Sequence, residues 1–165
     1  MSASHSKTTA IVLYSDGACL GNPGPGGYAA ILTYGDHTRE LSGGFRLTTN
    51  NRMELMGAIV GLEALKRPCA VTLVSDSEYL VNSVRKGWAI RWRAQGWKRQ
   101  GKVVPNADLW ERFLALADTH RIAVEWVRGH AGHVENERCD LLATAAAAAS
   151  PSAVDVGYEM RPSVP

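Results

Sequence analysis

Two short β-rich apolar runs, Ala10-Ile11-Val12-Leu13-Tyr14 and Val71-Thr72-Leu73-Val74, each lead into an aspartate, Asp16 and Asp76. Apolar runs bounded by turn residues read as buried strands. If both strands lie side by side in the middle of one sheet, their carboxylates meet at a shared edge. Acids so placed repel, and the repulsion is relieved either by a shared proton or by a bound divalent cation. Each also has a local explanation: Asp16 before Gly17 is a common turn pair, and Asp76 can cap the helix that follows.

The rest of the chain fits around these strands. Tyr28–Tyr34 and Thr38–Leu47 read as two further strands joined at Gly35-Asp36-His37, which gives three antiparallel strands with the first. Between them, Gly21-Asn22-Pro23-Gly24-Pro25-Gly26-Gly27 reads as a loop, because Gly and Pro at this density interrupt helix and ladder alike. Asn51–Lys66 carries apolar residues at helical spacing, and Pro68 helps stop it. Ser75-Asp76-Ser77-Glu78 offers capping residues to a helix through Tyr79, Leu80, Val81 and Val84. A helix over Asp108–His120, a strand over Ile122–Val127, a loop at Gly129-His130-Ala131-Gly132-His133 and an alanine-rich helix over Glu135–Ala149 complete the pattern. Strands that alternate with helices imply a parallel part of the sheet. The expectation is one α/β domain over residues 1–165, with a flexible leader at Met1–Lys7 and an irregular tail over 151–165.

At 165 residues and 45% hydrophobic content the chain suits a single core. Its apolar runs are too short to cross a bilayer and its start lacks a signal-peptide apolar region, so a cytoplasmic location is expected. Cys19, Cys69 and Cys139 are odd in number and widely spaced, which suggests neither a disulfide framework nor a thiolate metal site; they read as buried small apolar residues. The net charge of +2 says little, but its distribution says more. From Tyr79 to Ala107 there is no acid, while Arg85, Lys86, Arg91, Arg93, Lys98, Arg99 and Lys102 fall there, interleaved with Trp88, Trp92 and Trp97. This reads as a short helix and loop standing off the core and suited to a polyanion, with at least one indole expected to pack locally.

Glu54 and Asp140 extend the acid set. Glu54 follows Asn51 by three places and loosely satisfies a capping box, and Asp140 can face solvent in its helix. Taken as four separated acids, however, Asp16, Glu54, Asp76 and Asp140 are better neutralised by hard cations than by shared protons. Carboxylates holding hydrated Mg²⁺ or Mn²⁺ beside a basic aromatic surface suit phosphodiester hydrolysis, in which two ions about 3.5–4 Å apart assist an in-line displacement. His130 is either a solvated loop histidine or a group that moves a proton near neutral pH.

The motifs Ser15-Asp16-Gly17, Gly21-Asn22-Pro23-Gly24-Pro25-Gly26-Gly27, Thr48-Thr49-Asn50-Asn51-Arg52-Met53-Glu54-Leu55, Asp76-Ser77, Gly129-His130-Ala131-Gly132-His133 and Asn136-Glu137-Arg138-Cys139-Asp140 occur in one order from about Ile11 to about Ala147. In these the chain resembles bacterial ribonuclease H of type 1. The resemblance implies a five-stranded mixed sheet, three strands antiparallel and two parallel, with helices on both faces. It implies endonucleolytic hydrolysis of the RNA strand of RNA–DNA hybrids by a monomer holding two Mg²⁺, or Mn²⁺ in their place, and leaving 5′-phosphate and 3′-hydroxyl ends. Asp16, Glu54, Asp76 and Asp140 match the metal carboxylates and His130 the mobile catalytic histidine. Cys19, Asn22, Thr49, Asn50 and Asn51 match positions that touch the hybrid, and Trp88, Trp92, Lys98 and Arg99 fall in the basic protrusion that holds the DNA strand. A protein that must distinguish RNA needs contacts to the 2′-hydroxyl in the shallow minor groove. Glu78 stands where bacterial members often carry Gln, the protrusion is interrupted by Ala94 and Gln95, and the tail after Pro151 diverges. The rival readings are a non-catalytic duplex-binding module, which has no use for converging acids facing phosphates, and a related metal nuclease with another substrate.

Overall fold

The structure is a computed structural model and describes residues 10–161. The leader Met1–Lys7 and the last tail residues, Pro162–Pro165, lie outside the described residues. Strand β1 (Ala10–Cys19) is followed by β2 (Gly24–Tyr34) and β3 (His37–Thr48), with β2 and β3 joined by the tight Gly35-Asp36 turn. After helix α1 (Asn50–Glu63) come β4 (Ala70–Ser75), α2 (Glu78–Arg85), α3 (Trp88–Ala94) and the two-residue strands β5 (Lys98–Arg99) and β6 (Lys102–Val103). Helix α4 (Ala107–Thr119), β7 (Arg121–Trp126), α5 (Val134–Ala148) and the short α6 (Val156–Glu159) complete the chain.

The main sheet has five strands in the order β3-β2-β1-β4-β7. The β1–β2 and β2–β3 joins are antiparallel, and the β1–β4 and β4–β7 joins are parallel, so the expected mixed sheet is the observed one. Alternation along the strands sends successive side chains to opposite faces. Ile11, Leu13, Ala30, Leu32, Val71 and Leu73 join α1, α2 and α4 in the larger core, while Ala29 and Ile31 meet Cys139 and Ala143 of α5 on the other side. Helix α1 is buried almost all round from Arg52 to Ile59, since it is wedged between the sheet and α4.

Five expectations need correction. Gly21–Gly27 is not wholly loop: β2 begins at Gly24, and Gly26 and Gly27 pair with Cys19 and Ala18. Helix α5 crosses so closely there that a Cβ on Gly27 would overlap the α5 backbone at Ala143 and Ala147. Pro25 is accommodated because the β2–β3 register shifts between Gly24 and Gly26, a bulge that does not require its missing N–H. The cap of α1 is Thr49 rather than Asn51: its side chain accepts a hydrogen bond from Arg52 N at 3.3 Å, so Glu54 plays no part in capping.

The basic segment, third, does not simply stand off the core. Ala89 and Val104 are buried, and Trp92 meets the fully buried Trp110 edge to face at 6.0 Å between ring centroids. Fourth, residues 151–161 are not merely an irregular tail. Ala153 O accepts from Arg46 N at 2.8 Å, and Asp155, buried before α6, accepts from Thr48 Oγ1 at 2.6 Å and from Arg52 Nε at 2.8 Å. Arg52 also holds Asp108 of α4 through two hydrogen bonds of 2.8 and 2.7 Å, so one guanidinium ties α1, α4 and the C-terminal segment together. Fifth, among the cysteines, all free, only Cys139 is buried; Cys19 and Cys69 are half-exposed.

Candidate active site

Parallel pairing of β1 with β4 aligns Tyr14 with Val74, and Asp16 and Asp76 each lie two residues further on. A step of two returns a side chain to the same face, so the two aspartates emerge together at the C-terminal edge of adjacent central strands. Glu54 arrives from α1. Its approach depends on Gly17, where any Cβ would overlap the α1 backbone at Met53 and Glu54. One carboxylate oxygen from each of Asp16, Glu54 and Asp76 lies within 4.8 Å of the others.

The electrostatics of this cluster are unfavourable without a cation. Burial, then the charge of Asp76, pushes the Asp16 carboxyl up to about 7, although Gly17 N donates to Asp16 Oδ1 at 2.9 Å and favours its ionised form. Burial, then the charges of Asp16 and Asp76, pushes Glu54 well above the usual carboxylate range. Glu54 Oε2 is buried with no hydrogen-bond partner. None of the ion pairs among the described residues reaches any of these acids. An all-oxygen donor set with an orphaned carboxylate oxygen and no cationic side chain fits a hard divalent cation.

Asp140 lies on α5, half-buried and outside the tight cluster, yet close enough for its charge to push the Asp16 and Glu54 carboxyls up further. Arg138 on the same helix does not neutralise it, because that guanidinium pairs with Glu40 at 2.8 Å. His130 is exposed in the loop between β7 and α5 and adopts a left-handed backbone at φ 56°.

Cys19 and Asn22 lie against the β3–α1 junction that carries Thr49 and Asn50. Asn22 Oδ1 accepts from Asn50 N at 3.1 Å, and Cys19 Sγ lies 3.0 Å from Gly21 O and 3.5 Å from Thr48 O. Thr49 caps α1, and Asn51 is exposed in its first turn. Trp88 and Trp92 instead line a cleft of about 510 Å³ with Tyr79, Arg91, Gln95 and Arg99. Lys86 Nζ stands over the Trp88 ring at 5.4 Å, and Lys98 is exposed on β5. Sequence reasoning placed Arg91 only in the general basic excess and gave Tyr79 and Gln95 no role in a site. A signal for Arg91 and Gln95 was present: Trp88, Arg91, Trp92 and Gln95 follow the i, i+3, i+4, i+7 spacing of one helical face. Tyr79 is locked by Trp110 Nε1, which donates to its hydroxyl at 2.8 Å.

Carboxylates gathered at the parallel edge of a mixed sheet, beside a basic aromatic cleft, are the marks of a nuclease of the carboxylate-cluster class. The chain belongs to the ribonuclease H family, whose RNase H model matches residues 8–148. It is 60% identical over 149 residues to the ribonuclease H of Syntrophus aciditrophicus, covering 90% of this chain and 86% of that one. It is 57% identical over 150 residues to the ribonuclease H of Rippkaea orientalis, with 90% and 92% of the two chains covered. Among solved structures, LC9-RNase H1, a type 1 RNase H with the type 2 active-site motif, superposes with a TM-score of 0.79 at 33% identity over 93% of this chain and 80% of that one. LC11-RNase H1, solved in complex with RNA/DNA hybrid, gives a TM-score of 0.58 at 25% identity, covering 85% and 98%. No helix among the described residues is long and apolar enough to cross a membrane.

Proposed function

We propose that the chain is an endonuclease that hydrolyses the RNA strand of RNA–DNA hybrids with two divalent ions, Mg²⁺ or Mn²⁺, and leaves 5′-phosphate and 3′-hydroxyl ends. The observation that carries this reading is the cluster of the buried Asp16 and Glu54 with the half-buried Asp76, paired to no cationic side chain among the described residues, in a chain that also presents a basic aromatic cleft. A surface meant only to bind a polyanion gains nothing from such acids, since they repel phosphate. LC11-RNase H1 has been solved with an RNA/DNA hybrid, which supports the same substrate here.

In this reading Asp16, Glu54 and Asp76 hold the ions, with Asp140 completing the set. Bound ions of this kind activate the attacking water and stabilise charge on the leaving oxygen. His130 moves a proton through an imidazole nitrogen at the edge of the site. Cys19, Asn22, Thr49, Asn50 and Asn51 follow the minor groove, where the 2′-hydroxyl distinguishes RNA from DNA. Trp88, Trp92, Lys98 and Arg99 grip the sugars and phosphates of the DNA strand, which aligns the duplex without reading its sequence.

The test is cleavage of one labelled RNA strand presented alone, paired with RNA and paired with DNA, in Mg²⁺ and in chelator. Cutting confined to the hybrid and abolished by chelator is expected. Tight hybrid binding without cutting in either metal overturns the catalytic reading, and cutting of another duplex overturns the substrate.

A further inference from the structure

We infer that Asn136 is a positioning residue that sets the orientation of the Asp76 carboxylate, and that the active site therefore depends on an uncharged donor on α5; this rests on the reading of Asp76 as a metal carboxylate. The β4 ladder ends at Ser75, so Asp76 lies just beyond the last strand residue and is held by side chains instead. Trp126 Nε1 donates to the Asp76 carbonyl at 3.2 Å, which fixes the backbone. The carboxylate is met by Asn136, whose Nδ2 donates to Asp76 Oδ2 at 3.4 Å. Gly129 crowds the same oxygen, since a Cβ there would stand 3.0 Å from it.

Asn136 is only 3% exposed although it lies in the first turn of a helix whose N-cap, His133, makes no side-chain cap bond. A buried amide at that place has to be explained by what it bonds. Its Oδ1 turned toward a carboxylate would be repelled, so the donating orientation is the one chemistry allows. A hydrogen bond to one carboxylate oxygen fixes rotation of the group, and with it the direction of the other oxygen.

The type of residue matters as much as its place. A lysine or arginine here would neutralise Asp76 and compete with a cation, and an acid would add to a cluster already short of positive charge. An amide donates without changing the charge. Asp140 lies four residues further along α5, and residues so spaced share a helix face. One contact thus registers both the Asp76 carboxylate and the helix that carries Asp140. Partners that orient metal-binding carboxylates have a known scale of effect: their loss typically reduces metal affinity or activity about 10- to 100-fold.

Asn136→Ala and Asn136→Leu separate orientation from packing, because leucine restores the bulk without the donor. Both are compared with the parent by circular dichroism, by calorimetric titration with Mg²⁺ in the absence of nucleic acid, and by kcat and KM on a hybrid. The expected result is a loss of about 10- to 100-fold in Mg²⁺ affinity and in kcat for both variants, with KM within a factor of two. Values of both within twofold of the parent overturn the inference, as does recovery by leucine alone, which would make Asn136 a space-filler. If the alanine variant does not fold, the leucine variant decides. A parent that fails to cut hybrids in Mg²⁺ would sink the functional reading itself, whereas an active parent with unaffected variants sinks only the role of Asn136.

Discussion

The carboxylate of Glu54 stands within 4.8 Å of that of Asp16 while its Oε2 is buried without a hydrogen-bond partner. The pair is assembled by close packing of α1 on β1 at Gly17, so the two acids cannot drift apart without unpacking the core.

Glu54→Gln should therefore raise the stability of the metal-free protein at the pH values where Glu54 would have to ionise, because an amide carries no charge for burial, Asp16 and Asp76 to oppose. The same change should remove most of the stabilisation that Mg²⁺ confers on the parent. Thermal melts of both proteins in chelator and in Mg²⁺ check this; a variant less stable than the parent in chelator would mean that the Glu54 charge is already satisfied.

A pH dependence follows from Asp16. Its folded value of about 7 lies above the ordinary 3.8, so between those values the folded protein binds more protons than the unfolded one. Stability from this group is then present at low pH and is lost as pH rises toward about 7, at up to about 1.4 kcal/mol per unit. Burial depresses the His120 imidazole, which accepts from Cys69 N at 3.1 Å through Nδ1, and this acts in the opposite sense, adding stability as pH rises toward 6.5. The difference between parent and Asp16→Asn reports the aspartate together with the part of the Glu54 shift that its charge causes, which acts in the same sense. In chelator the parent should lose stability relative to the variant between pH 4 and 7, and saturating Mg²⁺ should abolish that trend; equal slopes for the two proteins in chelator would refute it.

Removing Asp155 leaves the buried Arg52 guanidinium short of one of its two acids. Asp155→Ala should cost about 3–5 kcal/mol, the range for breaking a buried ion pair from one side. Denaturant unfolding provides the number, and a loss below about 1 kcal/mol would show that Arg52 is satisfied by Asp108 alone.

Replacing Lys98, Arg99 and Lys102 by glutamine should weaken hybrid binding and flatten its salt dependence. Each lost phosphate contact lowers the slope of log K against log salt by roughly 0.7–0.9. Turnover at saturating substrate should change little, because these residues lie on β5 and β6 and none of them belongs to the acid cluster. Fluorescence anisotropy across a salt series would disprove the grip if affinity and slope both stayed at parent values.

How much of this was legible in the sequence depended on the kind of contact. Asp16 and Asp76 could be paired from local pattern, since two strands in parallel register place equal offsets side by side. Glu54 could not, because its spacing from Asn51 imitates a cap; only the surrounding motif singled it out, and the structure shows Thr49 in the capping role. The start of β2 reads as loop from its Gly and Pro content, because composition does not reveal that α5 will cross at Gly27 and leave no room for a Cβ there. The Asp76–Asn136 contact spans 60 residues and the Arg52–Asp155 pair 103, and neither leaves a periodic trace. The tail reads as irregular for the same reason: one buried aspartate among exposed neighbours carries no pattern.

That last pair also sets an order of events in time. Arg52 and Asp155 are separated by 103 residues, which a ribosome adding about 5–20 residues per second takes on the order of 5–20 s to polymerise. For roughly the first half of that interval neither acid of Arg52 has been made, since Asp108 lies 56 residues downstream, and after that its guanidinium has only Asp108 to pair with. Closure by the Asp155 segment is a late, non-local step of the kind that slows folding, and until it occurs a growing chain offers chaperones and proteases a loosened α1, the helix that bears Glu54.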